Sequence, residues 1–306
     1  MAGTLPAPRT QVPTPPEPHG EATARQAPQQ IARDCVQQIQ ALEPRLRRAR
    51  SPEALHQIRV ALRRWRTALA VFGAASGSSQ DRTKATLKWL ARELNEARDL
   101  DVFAAAFEAR MDEDAGARAL WSRLEALRAE AHERASEALQ SDRLRRLLWR
   151  TAQIGRPAAN DHEGPPAERI AAAALEHRWR RLRKRGRKLS SLAPEARHRL
   201  RIQAKKVRYA VELCGEMFGH PRRQAAMGRT LKRMQDSLGV LNDLEVGEAI
   251  ALRLAREAGS PEAAFAAGRL SGARARGESA AVLKTARGAY DDFREVGRFW
   301  AGALGD

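Results

Sequence analysis

The chain has 306 residues and a formal net charge of +18, because 55 lysines and arginines outnumber 37 acidic residues. It has no run of about eighteen apolar residues and no charged-then-apolar N-terminus, which excludes a membrane-spanning protein and predicts a cytoplasmic one. Its two cysteines have no metal-like spacing and favour a reducing compartment, while the charge excess leaves open a polyanionic partner, a membrane surface or simple solvation.

Residues 1–28 are rich in proline and nearly free of large apolar side chains, which predicts a disordered tail. A first helix is predicted from about residue 29 to residue 50, where apolar residues recur at steps of three and four. Cations crowd its last turns, where they suit the helix dipole. Two of them, Arg45 and Arg48, are candidates for a basic ligand-binding surface.

The stretch from Pro52 to Phe72 predicts an amphipathic helix. Proline belongs in the first turn of a helix, and Ser51 can cap the backbone there. One side of this helix is apolar and is expected to be buried, with Ile58, Leu62, Trp65, Leu69 and Phe72 at helical spacing. Another side is basic over about 15 Å of helix axis, with His56, Arg59, Arg63 and Arg66 in register.

Two longer helices are predicted next, over about 80–111 and 116–153, the second with a break near Ser141. The first of them carries Lys88, a further candidate cation, and the segment RDLDV, in which Asp99 could orient neighbouring cations or help to hold a divalent ion. Residues 155–166 form a linker by their glycine, proline and asparagine content.

The second half repeats the first. The stretch from Pro194 to Cys214 reproduces both sides of the earlier motif helix, with an apolar series at Leu200, Ala204, Val207, Val211 and Cys214 and a basic series at His198, Arg201, Lys205 and Arg208. Before it lies the densest charge of the chain, with the candidates Arg185 and Lys188. After it come a cation matching Lys88 and the segment NDLEV, which supply the candidates Lys232 and Asp243.

The remainder reads as two or three alanine-rich helices with apolar positions at Phe265, Phe293 and Trp300, among others. No strand-like alternation is present. We therefore predict an all-α protein of two pseudo-symmetric bundles of about four helices each, the first over about 29–154 and the second over about 167–300, packed as one unit.

Two matched rows of cations suit an extended ligand with regularly spaced charges, since arginine binds phosphate oxygens bidentately and lysine binds them as a point charge. The histidines that begin each row could be neutral donors, protonated anion contacts or metal ligands, and their place on the basic stripes favours ligand contact. A solvated basic surface is the plain alternative.

Motifs for catalysis are lacking. The sequence has no GxxxxGK[ST], GxSxG or HExxH motif and no paired CxxC, so we predict a binding protein without catalysis, cofactor or metal.

The segments HQIRVALRRWR and HRLRIQAKKVRY, each followed by an RDLDV-like segment, closely resemble the CHAD family, the conserved histidine α-helical domain, over roughly residues 29–300. The resemblance implies two similar helical bundles whose basic surface binds inorganic polyphosphate, and it adds Arg64 and Lys206 to the predicted contacts. Gly239 and Asn242 replace Asn95 and Arg98 of the first half, so unequal binding by the two halves is expected. Targeting to polyphosphate granules is compatible with this interpretation.

Two alternatives remain open. One is a nucleic-acid binder, which is not preferred because aromatic residues make up only 5% of the chain. The other is a metal-dependent phosphohydrolase that uses His56, His198, Asp99 and Asp243.

Overall fold

A computed structural model describes residues 23–24, 26–73, 80–109, 114–153, 165–272 and 278–305, and only the backbone at residues 194, 241–245, 270–272 and 278–280. The predicted tail up to residue 22, most of the linker and the side chain of Asp243 lie outside this description. The described residues confirm the all-α class. Their α-helices are α1 (Gln26–Ala49), α2 (Pro52–Phe72), α3 (Gln80–Glu108), α4 (Ala115–Gln140), α5 (Asp142–Ala152), α6 (Ala167–Gly186), α7 (Pro194–Cys214), α8 (Pro221–Ala258), α9 (Pro261–Gly272) and α10 (Glu278–Glu295).

The first helix begins a little earlier than predicted. The side chain of Thr23 accepts a hydrogen bond from the Gln26 backbone N–H at 3.3 Å, and the Gln26 side chain accepts one from the Thr23 N–H at 3.0 Å. This reciprocal capping box starts α1 before Pro28, which lies in the first turn, where a missing N–H costs nothing.

The apolar stripes of the two motif helices are buried as predicted. Of the five predicted apolar residues on α2, only Leu69 is partly exposed, and all five predicted apolar residues on α7 are buried. Each helix is 21 residues long and starts with a proline. The two helices pack against each other, α2 also against α1, α3 and α6, and α7 also against α6 and α8. The relation of the two halves by duplication remains a prediction.

The predicted break at Ser141 is confirmed. Its backbone ends α4, and its hydroxyl caps α5 by accepting a hydrogen bond from the Leu144 N–H at 3.3 Å. Of the apolar positions named near the C-terminus, Phe293 and Trp300 are fully buried, whereas the side chain of Phe265 on α9 is 69% exposed.

A buried polar cluster joins α3 to α4. Asp101 is buried and lies 3.0 Å from His132 Nε2 and 3.1 Å from Arg128 Nη2. Within the RDLDV segment Asp99 was predicted as a candidate site residue, whereas the buried acid is Asp101. Two residues along a helix correspond to about 200° of rotation, so one acid faces the helix interface while the other is exposed.

Contacts between the halves are extensive. Helix α4 packs against α8 and α9, and α3 packs against α8. Glu96 of α3 binds Arg134 of α4 at 2.8 Å and Arg253 of α8 at 3.0 Å. Together with the packing of α2 against α3 and α7 and of α7 against α8, these contacts place α2, α3, α7 and α8 around a shared groove.

Candidate anion-binding groove

A groove of about 1050 Å³ lies between α2, α3, α7 and α8. Among the described residues that line it, nine are lysines or arginines and two, Asp99 and Glu248, are acidic. We call this site the groove. Its cations are Arg59, Arg63 and Arg66 of α2, Lys88, Arg92 and Arg98 of α3, and Arg201, Lys205 and Arg208 of α7.

The α2 wall carries the whole predicted basic series, from His56 to Arg66. The helix is held at its start by Ser51, whose hydroxyl accepts a hydrogen bond from the Ala54 N–H at 3.2 Å. Because the apolar stripe is buried against neighbouring helices, the basic stripe is turned toward the groove.

The α7 wall carries three of the four predicted residues, since Arg201, Lys205 and Arg208 line the groove. The fourth, His198, is exposed and lies outside the lining. The two histidines that the repeat matched therefore have different surroundings.

The α3 wall contains one cation that was not predicted, Arg92. Lys88 and Asp99 line the groove as predicted candidates, together with Arg92 and Asn95 between them. These four positions step by 4, 3 and 4 along one side of the helix. That spacing was a signal that could have identified Arg92.

Arg59 is held by an amide at a position where the second half has a glycine. Its Nη1 donates a hydrogen bond to Asn95 Oδ1 at 2.6 Å. Burial lowers the pKa of the Arg59 guanidinium, the Asp99 charge raises it in part, and Arg98 lowers it further. At the matched site a Cβ built on Gly239 would lie 3.4 Å from Arg201 Nε, so no side chain occupies the place of Asn95.

Tyr209 joins the two basic walls. The guanidinium carbon of Arg63 on α2 lies 4.3 Å from the centre of its ring, and that of Arg208 on α7 lies 5.1 Å away. Such cation–π contacts fix the position of an arginine without neutralising its charge. Tyr209 follows the last cation of the α7 series directly, but nothing in the periodic pattern indicated that it would contact α2.

His56 lies in this cationic environment and is half-buried. Burial is the largest cause that lowers its pKa, and the charge of Arg98 lowers it further, while Glu53 acts in the opposite direction. The side chain is thereby biased toward the neutral form that can accept or donate a hydrogen bond.

The groove has a second, apolar end. Val102 and Val246 are exposed to 49% and 38%, and they line the groove together with Phe103, Phe107 and Ile250. The cationic and apolar parts share the α3 wall, and α8 contributes no cation to the described lining.

Several predicted contacts are not brought to the groove. Arg64 lies about 100° around α2 from Arg63, and its charge acts instead on the buried thiol of Cys35. Lys232 pairs with Asp236 at 2.6 Å on the surface of α8. Five exposed cations of α1, α7 and the end of α6 also lie outside the lining: Arg45, Arg48, Arg185, Lys188 and Lys206.

Within the described ranges, no three histidine, cysteine or acidic side chains are grouped as a metal site would require. Of the four residues named for a phosphohydrolase, only His56 and Asp99 are seen to line the groove. In the same part of the chain no helix is both long and apolar enough to cross a membrane.

Comparison with known proteins identifies the family. The CHAD domain family model matches residues 30–252. The crystal structure of the CHAD domain from the plant Ricinus communis is similar with a TM-score of 0.71 and 28% sequence identity, covering 89% of this chain and 93% of that one. PptA from Streptomyces chartreusis shares the fold, with a TM-score of 0.52 and 18% identity over 90% of this chain and 98% of that one. No curated protein matches the chain. Since the family model spans most of its length, the chain belongs to the CHAD domain family.

Proposed function

We propose that this protein binds inorganic polyphosphate in the groove and does so without catalysis. The observation that carries the proposal is the convergence of cations from α2, α3 and α7 on one concave surface with only two acidic residues in its described lining. Binding of this kind fits a role at polyphosphate granules in the cytoplasm.

The charges of the groove favour a long, flexible polyanion. The cations of each wall repel one another, and a ligand with one negative charge per repeat unit relieves that repulsion along the whole groove. Arginine supplies most of the contacts, and its planar fork suits the non-bridging oxygens of a phosphate. Family membership supports the same ligand class, given the resemblance described above.

A competition titration tests the ligand class. Labelled long-chain polyphosphate is bound to the protein and displaced by unlabelled duplex DNA or RNA at equal phosphate concentration over a salt series. At equal phosphate concentration we expect nucleic acid to displace little of the polyphosphate, and to compete only at about a tenfold or higher excess of phosphate. The reason is that non-specific binding of a duplex to a basic surface depends mainly on counterion release. Equal displacement at every salt concentration would show a general polyanion binder and contradict the proposal.

A pair of matched variants tests the place of binding. Replacing Arg66→Gln and Lys205→Gln removes one cation from each motif helix. We expect polyphosphate binding to weaken about a hundredfold or more, since hydrogen bonds to charged groups contribute about 1.5–3 kcal/mol each and about 1.4 kcal/mol is a factor of ten. The control, Arg222→Gln with Arg223→Gln, removes the same charge from exposed sites on α8 outside the groove. Equal weakening by both pairs would place binding elsewhere.

The absence of catalysis is tested by phosphate release from polyphosphate in Mg²⁺ or Mn²⁺. We expect no release above background. Release that disappears in a His56→Ala, Asp99→Asn variant would identify the groove as an active site and refute this part of the proposal.

A further inference from the structure

A second cationic cavity lies at the end of α6, away from the groove. It has a volume of about 420 Å³ and shares no described lining residue with the groove. Its lining combines five cations with one carboxylate, Glu176, and one aromatic ring, Trp179. The cations are Arg180, Arg183 and Lys184 of α6, Arg187 directly after that helix, and Arg298 beyond α10.

The carboxylate is already engaged. Glu176 accepts hydrogen bonds from Arg180 at 2.6 Å, Arg298 at 3.0 Å and Trp300 Nε1 at 3.1 Å. Burial raises the pKa of Glu176, but these donors lower it more, and the net pKa lies below its ordinary value. Glu176 is therefore ionised at neutral pH, and its one negative charge is shared by two arginines.

The other three cations have no acidic partner among the described residues. Arg183, Lys184 and Arg187 form no ion pair there. Lys184 follows Arg183 directly, and Arg187 lies one turn after Arg183. Trp179 lies one turn before Arg183. A helix C-terminus favours cations in general. Of the three basic residues in the last turn of α6, however, only Arg183 and Lys184 line the cavity.

Two buried donors at this site also lack acceptors. Trp179 is only 7% exposed, and neither its Nε1 nor the Nε of Arg183 has a hydrogen-bond partner within the described structure. The guanidinium carbons of Arg183 and Arg298 lie 5.1 and 5.3 Å from the Trp179 ring. Buried donors without acceptors are rare because each costs about 1–3 kcal/mol.

We propose that this cavity binds a compact phosphate group, either free or as a phosphomonoester, separately from the groove. An oxyanion with two negative charges matches the cations that Glu176 leaves unpaired, and arginine and lysine are the side chains that bind phosphate oxygens. The inference goes beyond polyphosphate binding, since none of the described lining residues of the cavity belongs to the groove.

The probe is inorganic phosphate, followed through the indole N–H signal of Trp179 by NMR, with Trp179→Phe used for assignment. We expect a saturable shift of this signal. Lys184→Gln with Arg187→Gln should raise the dissociation constant about tenfold, because both cations are exposed in the cavity and act as charge-assisted donors.

A matched control lies on the same helix. Arg181→Gln with Arg185→Gln removes the same charge from exposed positions outside the cavity and should change the constant less than about twofold. The groove variant Arg66→Gln, Lys205→Gln should leave the Trp179 shift intact although it weakens polyphosphate binding. A shift that does not saturate, equal weakening by the control pair, or loss of the shift in the groove variant would each overturn the proposal.

Discussion

At the scale of single residues, the proposed binding predicts that His56 couples ligand affinity to pH. Burial and the charge of Arg98 lower its pKa in the free protein, and a bound polyanion would offset the neighbouring cations and raise that pKa. The affinity for polyphosphate should therefore increase as the pH falls from the ordinary histidine range near 6.5 toward the lowered pKa. NMR titration of the His56 ring with and without polyphosphate measures both pKa values directly.

The same shift has a consequence for stability. The unfolded state binds the His56 proton more tightly than the folded state, so protonation favours unfolding. The free energy of unfolding should therefore decrease as the pH falls from about 6.5 through the lowered pKa of the folded protein. His56→Gln should flatten both pH dependences while retaining binding at pH 8. A pKa that is unchanged by polyphosphate would separate His56 from the ligand.

At the scale of helices, Gly186 sets how closely α6 approaches α10. A Cβ at this position would lie 2.1 Å from Cε2 of Tyr290, a fully buried ring whose hydroxyl donates to the Arg183 carbonyl at 2.6 Å. The ring cannot move aside without losing that hydrogen bond. Gly186→Ala should therefore lower the free energy of unfolding by about 1–3 kcal/mol in urea denaturation.

The matched control is Gly288 of α10, where an added Cβ would meet nothing within 4 Å. Gly288→Ala should raise the free energy of unfolding by about 0.5–1 kcal/mol, because alanine loses less backbone entropy in a helix. If the two substitutions had effects of the same sign, the close approach of α6 and α10 would not be the cause.

At the scale of the whole molecule, ion pairs tie the two halves together across the groove-forming helices. Glu96 lies between Arg134 and Arg253, and although burial raises its pKa, hydrogen bonds from both arginines bring it below its ordinary value. Its side chain is 43% exposed, so solvent screens the pairs. Glu96→Gln should lower the free energy of unfolding by about 1 kcal/mol or less at low salt.

The dependence on conditions distinguishes this role from simple packing. The stabilisation is present above the ordinary pKa of glutamate, near 4.5, and is lost as the pH falls through the lowered folded pKa. It should also shrink in about 1 M salt, where charges are screened within roughly 3 Å. Glu137→Gln, an exposed site on α4 without a described ion pair, should show neither dependence. A Glu96→Gln effect that persists in high salt would contradict the electrostatic explanation.

The helices and their buried sides could be predicted because helical periodicity is local. Apolar residues three and four positions apart share one side of a helix whatever surrounds it, and so do the cations of α2. The break at Ser141 was predictable for the same reason, since a cap acts on its own backbone. The start of α1 was missed because the proline-rich composition before it outweighed the short capping signal at Thr23.

The full set of residues that line the groove could not be predicted in the same way. Arg92 was overlooked, and His198 was predicted to contact the ligand but lies outside the groove lining. Tyr209 of α7 contacts Arg63 of α2, which the sequence did not indicate. Which sides of different helices meet depends on their packing against one another, and this is set by contacts far apart in the chain. A single sequence specifies the basic and apolar side of each helix, whereas the positions of those sides around a common groove follow from the packed arrangement of α2, α3, α7 and α8.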